Sequence, residues 1–218
     1  MLHFSMRKLI ILFLIFLISI DAKELKLTRS DANLINASPN KNYIINRFKQ
    51  FKQMREKAYN LPTDKKLAYV NAFFNKILPV DDSKKYSADD YWATRKEFMI
   101  EGEGDCEDYS IAKYFTLLEL GIEKKNLYFA VMRVKGKTSY HMNLLYLEKP
   151  DSVPLVLDNL SFKVVPLPIR KKLRPKFVFN EYDSHLLTKN GLGKEIKIDW
   201  GKVNKWAVLL DRVYVKNE

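Results

Sequence analysis

Cys106 is the one cysteine among 218 residues, and its surroundings are those of a reactive group. It stands in Gly102-Glu103-Gly104-Asp105-Cys106-Glu107-Asp108, a glycine-punctuated turn. The turn opens onto a helical pattern in Ile111, Ala112, Phe115 and Leu118, with Gly121 as the stop. A thiol at a helix N-terminus meets unpaired backbone N–H groups and the positive end of the helix dipole. Both favour the thiolate, the nucleophilic form. Such a cysteine also needs a general base and a group that orients the base. Beyond the first 22 residues the only histidines are His141 and His185. His141 opens an apolar run, with Asn143 and Leu145 on its face. His185 lies in a polar stretch, residues 180–193, where solvent exposure is the simpler reading. Asp158 ends the run Leu155-Val156-Leu157, an unusual place for an acid without a partner. On paired antiparallel strands His141 and Asp158 would be cross-strand neighbours. Cys106, His141 and Asp158 are thus candidates for nucleophile, base and orienter. The plain alternative stays open: free cysteines are commonly buried small hydrophobes, and Asp-x-x-Asp at a helix start is an ordinary cap.

The elements that must position these residues follow from periodicity. Ile44, Phe48, Phe51, Met54 and Ala58 trace a helical stripe. Leu61-Pro62-Thr63-Asp64 interrupts it, and Thr63 is an expected N-cap. Leu67, Val70, Phe73, Phe74 and Ile77 give a second amphipathic helix ending before Pro79. Both helices read as packing elements without chemistry. Residues 23–42 read as a polar lead-in and residues 81–90 as a polar loop. Past Lys125 the pattern becomes strand-like at 127–134, 141–147 and 154–157, with Gly136-Lys137 turning the first run into the second. The basic run Arg170-Lys171-Lys172-Leu173-Arg174-Pro175-Lys176 reads as a solvated loop. Residues 206–215, around Asp211-Arg212, read as a closing strand. Helices first and strands afterwards predict one α+β domain over residues 43–218, helical over 43–121 and sheet over 126–218.

Composition bounds the remaining possibilities. The chain is 47% hydrophobic, 13% aromatic and 29% charged, with 7 Gly and 8 Pro, which excludes a disordered chain, a collagen-like fibre and a polytopic membrane protein. Residues 1–22 read as a secretory signal. Arg7 and Lys8 precede the apolar run 9–20, and Ala22 offers a small residue for cleavage. That run is short of the ~20 residues that span a bilayer; a short uncleaved anchor is the other reading. Lys+Arg is 38 and Asp+Glu 26, a net charge of +12. Removing residues 1–22 takes away Arg7, Lys8 and Asp21, leaving (38−2)−(26−1) = +11. The surplus permits acidic partners. A single cysteine excludes an internal disulfide and a multi-cysteine zinc site. No His-Glu-x-x-His occurs, so zinc proteolysis in its usual helical form is excluded, and no nucleic-acid-binding motif is present.

The block Gly102-Glu103-Gly104-Asp105-Cys106-Glu107-Asp108-Tyr109, with Ala112-Lys113-Tyr114-Phe115 and Leu120-Gly121, resembles the bacterial transglutaminase-like cysteine proteinases, and within them the LapG-type periplasmic adhesin proteases. Tyr91-Trp92-Ala93-Thr94, Glu97-Phe98, His141-Met142, Leu155-Val156-Leu157-Asp158-Asn159-Leu160 and Phe177-Val178-Phe179-Asn180 follow in the same order. The resemblance spans residues 91–180. It implies a papain-like, transglutaminase-type fold, in which N-terminal helices and a catalytic helix pack on an antiparallel sheet. It also implies a Cys-His-Asp triad of Cys106, His141 and Asp158. Asn143, where an apolar strand residue is expected, and the basic excess depart from the family pattern.

Asp105, Glu107 and Asp108 set three negative charges beside a group that must become an anion, and like charges raise a thiol pKa. A hard cation with oxygen ligands would remove that repulsion. The resemblance implies calcium, with Asp105, Glu107 and Asp108 as ligands; capping by Asp105 and Asp108 with Glu107 solvated is the alternative. The resemblance further implies a protein substrate, a large repeat-rich cell-surface adhesin cut near its N-terminus. It implies as regulator the periplasmic domain of an inner-membrane cyclic di-GMP receptor that sequesters the protease. Two other functions stay open: a transglutaminase-like acyl transferase or amidase using the same triad, and a non-enzymatic basic binding module in the periplasm.

Overall fold

The computed structural model describes residues 25–80, 91–188 and 190–214. The signal reading of residues 1–22 and the loop reading of 81–90 fall outside them. In chain order the first half contains α1 (Arg29–Ala37), α2 (Lys41–Ala58), α3 (Thr63–Phe74), β1 (Leu78–Pro79), α4 (Arg95–Glu101), β2 (Glu103–Gly104) and α5 (Cys106–Glu119). The second half contains β3 (Leu127–Val134), β4 (Tyr140–Tyr146), β5 (Leu155–Leu157), β6 (Val165–Pro166), β7 (Leu173–Phe179), β8 (Ser184–Thr188), β9 (Gly191–Glu195) and α6 (Lys205–Tyr214). Strands β3 to β9 form one sheet in the order β6-β5-β4-β3-β7-β8-β9, antiparallel at every step. β1 and β2 form a short parallel pair. The fold is α+β, as the order of helical and strand-like patterns predicts.

The central strands alternate between two cores, because successive side chains of a strand point to opposite faces. Leu127, Phe129, Met142, Leu144, Leu157 and Phe179 meet the helices. Tyr128, Ala130, Met132, Leu145, Val156 and Val178 fill a second core on the other face. On the helical side α2 contributes Phe51, Met54 and Ala58, and α3 contributes Leu67, Val70, Phe73 and Phe74. A buried charge cluster ties the helices together. Glu119 near the end of α5 accepts from Arg95 of α4, and its other oxygen lies 3.1 Å from Nε of Arg55 in α2.

Four expectations need correction. Residues 205–214 form helix α6, not a closing strand: Trp206 and Leu209 are buried at helical spacing, and Asn204 Oδ1 accepts from Ala207 N–H at 3.0 Å. The apolar run concealed a three-residue period. The lead-in contains α1, whose start carries a reciprocal cap: Thr28 Oγ1 accepts from Asp31 N–H (3.2 Å) and Asp31 accepts from Thr28 N–H (2.7 Å). Ile35 then packs against Ile44 and Ile100. Thr63 is the first residue inside α3, with Pro62 in the cap position. Finally, residues 173–176 are not a solvated loop but the first half of β7, paired with β3. Alternating exposure along an outer face leaves their charges in water while the backbone pairs.

Candidate active site

The turn before Cys106 is held by contacts that only glycine permits. Gly102 closes α4 with φ +80°, and Arg47 of α2 packs against it while donating to the Met99 carbonyl at 2.6 Å. A Cβ on Gly104 would lie 2.3 Å from Asp108 Oδ2 and 2.9 Å from the Phe98 ring, so a side chain there would displace the turn. Asp108 binds the turn from inside α5. Its Oδ1 accepts from Ala93 N–H (2.8 Å) and its Oδ2 from Asp105 N–H (3.3 Å). Tyr109 OH donates to the Ile77 carbonyl at 2.5 Å, joining α5 to the segment before β1.

Cys106 is thereby set as the first residue of α5, against β4. The Met142 N–H donates to its Sγ at 3.3 Å, and the thiol donates to Glu107 Oε2 at 3.0 Å. Ser110, one turn on, donates to the Cys106 carbonyl at 2.9 Å. Burial pushes the thiol pKa well up, the Glu107 charge and hydrogen bond push the same way, and the Met142 N–H opposes them. Desolvation and a neighbouring carboxylate both disfavour the anionic form of a thiol. Burial first, and Glu107 second, favour the protonated thiol.

His141, next to Met142 on β4, carries its Nε2 2.9 Å from Asp158 Oδ1. β4 and β5 pair antiparallel, with Leu144 opposite Leu157, and Asp158 follows directly. Asp158 is fully buried. Its Oδ1 also accepts from Leu160 N–H (2.9 Å), its Oδ2 accepts from the Arg170 guanidinium, and its carbonyl accepts from Asn75 Nδ2 (2.7 Å). Burial alone would raise its pKa, but the His141 hydrogen bond and charge, the Leu160 N–H and Arg170 hold it below the ordinary carboxylate value. Asp158 is therefore an anion with a partner on each carboxylate oxygen. It fixes the imidazole by one ring nitrogen and leaves Nδ1 for other work.

Cys106 and His141 line one cleft of about 660 Å³. Asp105 and Glu107 stand beside Cys106 in its lining, and Lys137, Ser139 and Tyr140 stand beside His141. His185 is elsewhere. It sits on β8, three strands from β4, with Nδ1 3.1 Å from the Gly193 carbonyl. Asn143 is fully buried, its Nδ2 3.7 Å from Met132 Sδ.

Sequence reasoning missed three groups around Asp158. Arg170 opens a basic run that reads as solvated, and no local pattern connects it to an acid twelve residues earlier. Asn75 lies at the end of α3 with no neighbouring motif. Lys113 is fully buried on α5; burial drives its pKa down to about 7, with Asp158 pulling it back up. Its helical stripe with Ser110 and Cys106 was the available signal: a lysine on the buried face of a helix.

Among the described residues, no three of His, Cys, Asp and Glu are gathered as a ready-made metal site. Asp105 and Glu107 nonetheless bring hard oxygen donors to the cleft on either side of Cys106, the donor chemistry that calcium takes, while the buried Asp108 carboxylate already accepts from the Ala93 and Asp105 N–H groups.

An antiparallel sheet carrying a histidine, packed against a helix that begins with a cysteine, is the architecture of papain-like proteins of the transglutaminase type. The chain belongs to the bacterial transglutaminase-like cysteine proteinase family, whose pattern it matches over residues 46–171. It is similar to Legionella pneumophila LapG in two solved states. For the EGTA-treated protein the TM-score is 0.68, with 30% identity over 83% of this chain and 94% of the other. For the calcium-bound protein it is 0.66, with 29% identity over 83% and 96%. No curated protein matches the chain.

Proposed function

We propose that the protein is a calcium-dependent cysteine endopeptidase of the periplasm, exported by a cleaved signal at residues 1–22. Its substrate is a large repeat-rich cell-surface adhesin, cut near its N-terminus to release it and so to control biofilm attachment. The periplasmic domain of an inner-membrane cyclic di-GMP receptor is the proposed inhibitor. The observation that carries the catalytic part is the sharing of one cleft by Cys106 and a His141 held through Nε2 by Asp158.

In this reading His141 Nδ1 takes the Cys106 proton as Sγ attacks the scissile carbonyl carbon. The oxyanion develops against the positive end of α5. Collapse breaks the C–N bond, the imidazolium gives its proton to the leaving amine, and an acyl-enzyme remains. Water then attacks with His141 again as base, the C–S bond breaks, and the carboxylate product leaves. Asp158 orients the imidazole and balances its charge without exchanging protons. Calcium held by Asp105, Glu107 and Asp108 would supply positive charge where these carboxylates now oppose the thiolate. The relative solved both calcium-bound and EGTA-treated supports that cofactor.

The test is incubation of the purified chain with the N-terminal fragment of a repeat-rich adhesin from the same organism. A single site-specific cut, lost in Cys106→Ala and in excess EGTA and regained with calcium, is expected. Absence of any cut with calcium present, or cutting by Cys106→Ala, contradicts the reading.

A further inference from the structure

Two stretches of the chain hold no carboxylate at all, residues 131–147 and 159–180, and the topology lays their charged ends side by side. β3 pairs with β7 so that Arg133 stands directly opposite Arg174. One step on, the Lys135 N–H donates to the Lys172 carbonyl at 2.8 Å. Arg133, Lys135 and Lys137 from the β3–β4 hairpin therefore share a corner with Lys171, Lys172, Arg174 and Lys176, and all seven are exposed. Among the described residues none of the seven pairs with a carboxylate. Like charges directly opposite on paired strands cost stability, and the fold offsets this only slightly. Arg133 lies 5.0 Å over the Tyr140 ring, and Arg174 donates to the Lys171 carbonyl at 2.7 Å. At the cleft the Arg133 guanidinium donates to the Tyr140 hydroxyl at 3.4 Å, and that hydrogen bond, with the charges of Arg133 and Lys176, holds the hydroxyl below its ordinary pKa.

We propose that this cationic corner docks an acidic segment of the polypeptide substrate, to one side of the bond that is cut. The proposal rests on the endopeptidase reading and adds the class of sequence it acts on. Lys137 and Tyr140 line the same cleft as Cys106 and His141, so a chain seated across the thiol runs directly onto the corner. Asp105 and Glu107 line that cleft as well. A peptide acidic on one side only is held on that side by the corner, which fixes its direction through the site. An anionic membrane would also attract seven cations. To reach Lys137 and Tyr140, however, a flat surface would have to lie over the cleft mouth and close it to substrate.

The test reads binding, so it stands whether or not the adhesin is the substrate. Fluorescein-labelled decaglutamate, decalysine and a glycine-serine decapeptide are titrated with the full chain by anisotropy, and vesicles rich in phosphatidylglycerol by co-sedimentation. Decaglutamate alone should bind among the peptides, weakening as salt rises. In Lys135→Glu/Lys171→Glu/Lys172→Glu its affinity should fall about tenfold or more. Bound decaglutamate should also slow alkylation of Cys106 by iodoacetamide, a neutral reagent. If the triple variant fails to fold, as judged by its thermal melt, the salt dependence and alkylation protection in the wild-type chain decide. Vesicle binding without decaglutamate binding, or decaglutamate binding that leaves the alkylation rate unchanged, overturns the proposal.

Discussion

Asp158 concentrates more of the site's physics than the cysteine does. It is fully buried, yet it stays ionised because His141, the Leu160 N–H and Arg170 all favour the anion. Asp158→Asn keeps the shape and removes the charge that fixes the imidazole. Turnover should fall on the order of a hundredfold or more, while Arg170, partly exposed, turns to solvent and the melting temperature drops only a few degrees. Kinetics and thermal melts on the same preparation check this; equal collapse of both would make Asp158 structural. Lys113 carries the opposite lesson. Its pKa is lowered from 10.5 to about 7 by burial, so between those values the unfolded chain binds a proton that the folded chain does not. Stability therefore falls as pH drops from 10.5 to 7, and the penalty is largest at and below 7. Lys113→Met should raise the melting temperature at pH 7 relative to the wild type, by an increment that shrinks as pH approaches 10. A constant difference across that range would mean that Lys113 is charged in the folded protein.

At the scale of elements, what was legible in the sequence is what depends on near neighbours. The α2 and α3 stripes, the β3–β4 hairpin and the helix start at Cys106 all follow from spacing within a dozen residues. The Arg170–Asp158 contact does not, because its geometry is set by the path of the chain through β6 and the turn after it. α6 was misread because an apolar decapeptide satisfies either period, and only Asn204 as N-cap distinguishes them. The charge cluster joining α2, α4 and α5 is a similar long-range product. Glu119 is almost fully buried between Arg55 and Arg95, so Glu119→Ala leaves a buried guanidinium without its counter-charge. That should cost about 3–5 kcal/mol, measured by urea denaturation. A loss below about 1 kcal/mol would mean that the two arginines find other partners.

For the whole molecule, a short block around Cys106 organises the site. Gly104 and Asp108 hold the turn, α5 carries the thiol, β4 carries His141, and Asp158 directly follows β5. Calcium should act on the molecule as a ligand of the native state. At a hundred times its Kd it should add about 2.7 kcal/mol, seen as a rise in melting temperature that EGTA reverses. Magnesium should substitute poorly, since it is reluctant to shed water for closely spaced carboxylates. The central claim, that His141 serves Cys106, is open to one measurement that needs no substrate. Cys106 is the only cysteine, so its alkylation by iodoacetamide at neutral pH reports thiolate formation at a single atom. With calcium present, His141→Ala should slow that rate by about tenfold or more, while His185→Ala, three strands away, should leave it at the wild-type value. Equal rates for the wild type and His141→Ala, or slowing in His185→Ala alone, would contradict the assignment.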